Sequence, residues 1–153
     1  MEIVLYQPQI PPNTGSIARL CAATATPLHL IYPLGFSLED RYLKRAGLDY
    51  WPHVDLKVWP SWEDFLEKRT EKQRLVFSSA RKGCGLHRFR FSLQDMIVLG
   101  PETMGLPQSI LDRAEHLVRI PIWGEVRSLN LANAASILLY EGFRQTGVLD
   151  AKE

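Results

Sequence analysis

Residues 2–24, EIVLYQPQIPPNTGSIARLCAAT, decide the fold class. A short apolar run, EIVLY, reads as a buried strand, QPQIPPNTG as a turn, and SIARLCAAT as a helix with apolar residues at helical spacing. Asn13 can cap that helix and Gly15 permits close backbone approach. On this reading Asn13, Gly15 and Arg19 occupy its opening turn, where a cation meets the wrong end of the helix dipole at a cost of ~0.3–1 kcal/mol. A charge held there against the dipole points to an anion or a reacting group nearby. The residues alone also allow a plain turn and cap, with Arg19 in solvent.

The same rhythm continues along the chain. Apolar runs LHLIY, DLKVW, RLVFSS, MIVLG and LVRIPI alternate with the amphipathic stretches SLEDRYLKRAG, SWEDFLEKR, QSILDRAEH and LNLANAASILLYEGFRQ. Strand and helix in alternation predict an α/β fold with a mostly parallel sheet and helices on both faces. Ser37 with Asp40 and Ser61 with Asp64 have capping-box spacing, and Gly147 has the place of a C′ residue after the last helix.

With 153 residues, 46% of them hydrophobic, the chain suits one domain over residues 1–153. Eighteen basic and seventeen acidic residues leave a formal charge of +1, so any nucleic-acid contact has to come from a local patch. Cys21 and Cys84 form no CxxC pair, which disfavours a zinc site or a disulfide scaffold and suits a reducing cytosol. MEIVLY lacks the basic region of a signal peptide, and no run approaches the ~18 apolar residues of a membrane span. The expectation is a cytoplasmic protein with no membrane partner and no metal.

In open α/β sheets, ligands bind beyond the carboxyl ends of the strands. Three predicted strand ends here run into loops of unusual composition. The first is the opening turn. The second, LGPETMGLPQS (99–109), begins with the glycine spacing of a P-loop but has Leu106 and Pro107 where Lys and Ser/Thr would hold phosphate and magnesium. No GxGxxG fingerprint is present anywhere. Gly100, Gly105 and two prolines around Glu102 make a tightly turned loop whose backbone groups can face a ligand; Pro107 by itself reads as the first residue of a helix. In the third, IPIWGEVRSLNLANAAS (120–136), Ser128 or Asn130 can cap the following helix.

In this order, the three loops resemble the three motifs of the SPOUT superfamily of RNA methyltransferases, and most closely those of its short wobble-nucleotide tRNA 2′-O-methyltransferases, the TrmL (YibK-like) group. IVLYQPQIPPNTGSIARLCA, KRAGLDYW, LGPETMGLP and RIPIWGEVRSLNLANAAS carry the likeness, which spans nearly the whole chain. One departure is Met104, where that group commonly has Arg. The resemblance implies a C-terminal deep trefoil knot, which general topology rules would not supply. It also implies S-adenosyl-L-methionine bound in a bent shape, largely by backbone groups. The matching cofactor-binding positions are Ser78, Ser79, Gly100, Glu102, Gly105, Ile120, Ile122, Ser128 and Leu129.

The implied reaction is methyl transfer to the ribose 2′-hydroxyl of the wobble cytidine or uridine of tRNA, with leucine isoacceptors the expected substrates and DNA excluded by its missing hydroxyl. Arg19 falls on the arginine of the first motif. A guanidinium is effectively always protonated, so its expected role is electrostatic, beside a developing alkoxide or a phosphate. Asn13 would orient Arg19 or the ribose, Glu102 the arginine or the hydroxyl, and Ser128 and Asn130 the substrate and loop. The four histidines lie outside these loops. SPOUT dimers imply a homodimer whose active site is completed across the interface, with Arg19 of one chain serving the other. The apolar Ile137, Leu138, Leu139, Tyr140 and Phe143 spread around more of the last helix than one stripe requires.

Three alternatives stay open on the residues. One is an α/β enzyme binding another small ligand, and a second is a methyltransferase acting on another RNA position. The third is a non-catalytic RNA-binding domain, using Arg41, Lys44 and Arg45 with Tyr50 and Trp51, or Arg81, Lys82, Arg88 and Arg90 with Phe89 and Phe91.

Overall fold

The computed structural model describes residues 1–39, Leu43 and 50–152. Its strands are β1 (Glu2–Tyr6), β2 (Leu28–Ile31), β3 (Leu56–Trp59), β4 (Arg74–Ser78), β5 (Cys84–Gly85), β6 (Asp95–Leu99) and β7 (His116–Arg119). Its helices are α1 (Pro11–Thr24), α2 (Trp62–Lys68), α3 (Gln108–Leu111) and α4 (Leu131–Gln145). Among the described residues all six strand pairings are parallel, in the order β3-β2-β1-β6-β4-β7-β5.

Central strands of a parallel sheet are covered on both faces and so read as unbroken apolar runs. Ile3, Val4 and Leu5 of β1 and Ile97 and Val98 of β6 are wholly buried. On one face Ile3, Leu5, Ile97 and Leu99 join Ile17 and Cys21 of α1 and Leu138 and Leu139 of α4. On the other, Val4, Met96 and Val98 join Phe65 of α2 and Ile110 of α3. The expected α/β architecture with helices on both faces is present.

The order of the strands places the functional loops. From β1 the chain builds outward through β2 to β3, then crosses to fill the other side, so neighbours β1 and β6 form a topological switch point. Because β1, β6, β4 and β7 are adjacent and parallel, the loops leaving their carboxyl ends meet on one edge.

Several local expectations need correction. α1 begins at Pro11, not Ser16, because Pro11 and Pro12 pre-set helical φ in its first turn. Arg19 is therefore the ninth residue of the helix, beyond the first turn, and carries no N-terminal dipole penalty. Asn13 is not the cap: the N-cap position is Ile10, with no capping bond from its own side chain. Pro107 is the N-cap of α3 and not its first residue, and that helix stops at Leu111, where Arg113 N–H bonds Ile110 C=O and Ala114 N–H bonds Leu111 C=O in tighter turns that lead to β7.

Ser61 caps α2, its hydroxyl accepting from Asp64 N–H at 3.1 Å and donating to the Asp64 carboxylate at 2.5 Å. The Ser37 hydroxyl accepts from Glu39 N–H at 3.1 Å; Asp40, and the SLEDRYLKRAG stretch apart from its first three residues and buried Leu43, lie outside the described residues. Gly147 takes the expected C′ place with φ of 72°, and Val148 N–H closes α4 on Phe143 C=O at 3.0 Å. The two-residue β5 is too short to leave a periodic signal.

Candidate active site

The four loops enclose a cavity of about 810 Å³. Ser78 and Ser79 enter it from the end of β4, Gly100, Glu102 and Gly105 from the loop after β6, Ile120 and Ile122 from the end of β7, and Ser128, Leu129 and Asn130 from the approach to α4. Asn13 completes the wall from α1.

Its frame is a polar chain tying three distant segments. Glu102 accepts from Gln9 N–H at 2.8 Å and from Ile10 N–H at 3.0 Å, capping α1 with a carboxylate from another loop. Charge-assisted bonds at the positive end of a helix are favourable. Asn13 donates to the same carboxylate at 3.4 Å and accepts from Asn130 Nδ2 at 2.9 Å. Asn130 caps α4 in turn, its Oδ1 accepting from Ala132 N–H at 2.9 Å and Asn133 N–H at 3.3 Å. Of the two capping candidates, Ser128 does not take the role.

Gly100 has a steric reason. A Cβ there would lie 2.3 Å from Leu106 N and 2.5 Å from Gly105 C, inside any tolerable contact with backbone. Gly105 is glycine for conformation, with φ of 69°. Between them they fold the loop back on itself.

Beyond β7 the chain leaves the ladder. Among the described residues, the N–H groups of Ile122 to Leu129 make no main-chain hydrogen bond, so those facing the cavity are available to a ligand. Leu99, Leu106 and Leu131 add apolar surface. Backbone donors, an apolar floor and room for a nucleoside fit S-adenosylmethionine, and no cluster of described residues could hold a metal ion.

Eleven of the twelve site residues singled out from sequence line this cavity, and Arg19 does not. Arg19 is exposed on α1 with its guanidinium 5.1 Å from the centre of the Tyr50 ring. In the single chain, therefore, neither Asn13 nor Glu102 orients Arg19; they orient each other and Asn130. Arg81, Lys82 and Arg127 do line the cavity and give it a basic rim. Arg127 is legible in the sequence only as the neighbour of Ser128, and Gln9 carries no sequence signal for its backbone bond to Glu102.

No histidine lines the cavity. His29 is buried in the sheet, its Nδ1 accepting from Trp59 Nε1–H at 2.9 Å, which leaves Nε2–H to donate to Glu2 at 2.5 Å. Phe89 and Phe91 are only 8% and 9% exposed and pack on each other, so they cannot stack on RNA bases as a surface platform. Arg41, Lys44 and Arg45 lie outside the described residues.

Residues 1–140 match the SpoU rRNA Methylase family. A tRNA (cytidine(34)-2′-O)-methyltransferase of Methylovorus glucosotrophus is 51% identical over 147 residues, covering 94% of each chain. This chain belongs to the SpoU methylase family. The Escherichia coli K12 member, also named tRNA (cytidine(34)-2′-O)-methyltransferase, is 45% identical over 150 residues, covering 96% of this chain and 94% of its own. Among solved structures, one concerned with 2-OH methylation of C/U34 on tRNA superposes with a TM-score of 0.91 at 50% identity, covering 94% of both chains. The SpoU methyltransferase AviRb of Streptomyces viridochromogenes, solved with its cofactor AdoMet, gives a TM-score of 0.82 at 28% identity over 95% of this chain and 60% of AviRb.

Proposed function

We propose that this SpoU family member transfers a methyl group from S-adenosyl-L-methionine to the ribose 2′-hydroxyl of the wobble nucleotide of tRNA, with residues 1–153 acting as one methyltransferase domain. The observation that carries the reading is the cavity itself, at the carboxyl ends of adjacent parallel strands, with a Gly100–Gly105 turn, free backbone donors and a rim of Arg81, Lys82 and Arg127. The close relatives that act on position 34 of tRNA support the substrate.

The cofactor supplies an already activated methyl group. The chain has to hold the ribose in line and favour the ionised hydroxyl. Among the described residues the lining holds no histidine, and Glu102, the one carboxylate there, is engaged by three N–H donors. Electrostatic activation by a cation is the remaining route, and a permanently charged guanidinium near the developing alkoxide provides it.

Arg19 has that role here in trans. Its exposure on α1, outside its own cavity, and the exposed Ile137 and Tyr140 on adjoining α4, 40% and 47% accessible, support a homodimer in which α1 and α4 meet a second copy. The C-terminal segment is expected to pass through a trefoil knot, in keeping with the family likeness, and the protein to work in the cytoplasm, where tRNA is found.

The deciding experiment is incubation of the enzyme and S-adenosylmethionine with total tRNA lacking this modification, followed by nuclease digestion and mass spectrometry. A 2′-O-methylated nucleoside mapped to position 34 is the expected product. Methyl on a base, on another position, or on no tRNA overturns the reading.

A further inference from the structure

Trp123 is 93% exposed and Met104 is 87% exposed, the two barest large apolar side chains described. Scattered surface apolar residues are ordinary, but both of these stand on loops that build the cavity. Met104 lines it, and Trp123 directly follows the lining residue Ile122. The other three tryptophans are partly covered. Among the described residues, Trp123 has no ring partner and its indole N–H no acceptor.

What surrounds the ring selects its occupant. Arg127 follows four residues later, and Arg81 and Lys82 line the same cavity, three cations against Glu125 on the loop and an already engaged Glu102. An apolar partner alone would find this rim costly to desolvate. A polyanion with flat, unstacked rings would satisfy both halves: phosphates on the cations and a base on the indole. Tryptophan offers a large face and has few rotamers to lose.

We propose that Trp123 is a positioning residue that stacks on a base of the single-stranded RNA loop beside the nucleotide being methylated, and so sets where the ribose enters the cavity. The inference rests on the methyltransferase reading above. Stacking is tolerant of base identity, so Trp123 contributes to grip and register and not to the choice of cytidine or uridine.

The test compares wild type, Trp123→Ala and Trp123→Phe as full chains. Methylation of an anticodon stem-loop RNA should show KM raised by about 5- to 150-fold in Trp123→Ala, the range one stacked base commands. Trp123→Phe should recover most of that loss. Affinity for S-adenosylhomocysteine by calorimetry and mass by light scattering should match wild type in both variants. The same stem-loop should quench tryptophan emission of wild type more than that of Trp123→Phe, a readout that needs no turnover. An unchanged KM in Trp123→Ala, a loss of cofactor affinity, a fall in mass, or equal quenching in wild type and Trp123→Phe overturns the proposal. Failure of wild type to methylate any tRNA overturns the enzymatic reading instead.

Discussion

Asn130 Nδ2 donates to Asn13 Oδ1 at 2.9 Å across 117 residues of sequence, joining the N-termini of α4 and α1 at the wall of the cavity. Each asparagine also makes a second contact, Asn130 capping its own helix and Asn13 reaching Glu102.

The two roles of Asn130 can be separated. Asn130→Asp keeps an oxygen for the Ala132 and Asn133 N–H groups but loses the donor to Asn13, so thermal stability should stay near wild type while kcat falls. Asn130→Ala loses the cap as well, about 1 kcal/mol, and should unfold about 2–4 °C lower in a chain of this size. Scanning calorimetry beside a methyl-transfer assay reads both. Equal activity in Asn130→Asp and wild type would show that the link does not position the site.

Gly100→Ala and Gly105→Ala should differ in kind. At Gly100 the new methyl meets backbone atoms of Gly105 and Leu106 within 2.5 Å, so the loop must move and S-adenosylhomocysteine affinity should drop at least about tenfold, a change of about 1.4 kcal/mol. Around Gly105 there is open space, and the cost is left-handed strain of about 1–2 kcal/mol, which appears in stability before it appears in binding. Isothermal titration and urea unfolding distinguish the two.

Arg19→Ala should abolish turnover while leaving cofactor affinity unchanged, since Arg19 lies outside its own cavity. Arg19→Lys, which keeps the charge but not the planar fork, should retain part of the rate. Mixing Arg19→Ala with Gly100→Ala chains should restore one working site in each heterodimer. Light scattering should give twice the 17.5 kDa chain mass. An active monomer, or no rescue in proven heterodimers, would refute action in trans.

Glu141 provides a pH test away from the site. Two bonds from Arg144, at 2.8 and 2.9 Å, and one from Gln145 at 2.7 Å hold its carboxyl down at about 2. Gln145 in turn accepts from Phe91 N–H and donates to Phe89 C=O, each at 3.0 Å. A depressed carboxyl stabilises the fold fully above the ordinary value of 4.5 and loses that contribution as pH falls toward 2. Urea unfolding from pH 5 to pH 2 should therefore fall less steeply for Glu141→Gln than for wild type. Parallel curves would show that the carboxylate is equally paired in the unfolded chain.

Local signals make much of the site readable. Gly100, Glu102, Gly105, Ser128 and Asn130 stand out because strand-to-helix loops put unusual residues in a short window. The same local reading misplaces Arg19 along its helix: Pro11 and Pro12 read as a turn, while in the fold they are the first helical residues. Phe89 and Phe91, interleaved with arginines, read as a stacking surface until the ring pair is found packed in the core.

By itself the sequence determined the alternation of strand and helix, the parallel character of the sheet and the three loops that line the cavity. All of these follow from backbone propensity and apolar periodicity over fewer than about twenty residues. Only the tertiary structure decided that β6 lies between β1 and β4, that Glu102 caps α1, and that Arg19 lies outside the cavity its own chain builds. Those relations join residues tens of positions apart, and burying both faces of one sheet is what brings them together. No local pattern encodes that geometry, because its energy exists only once the strands have taken their order.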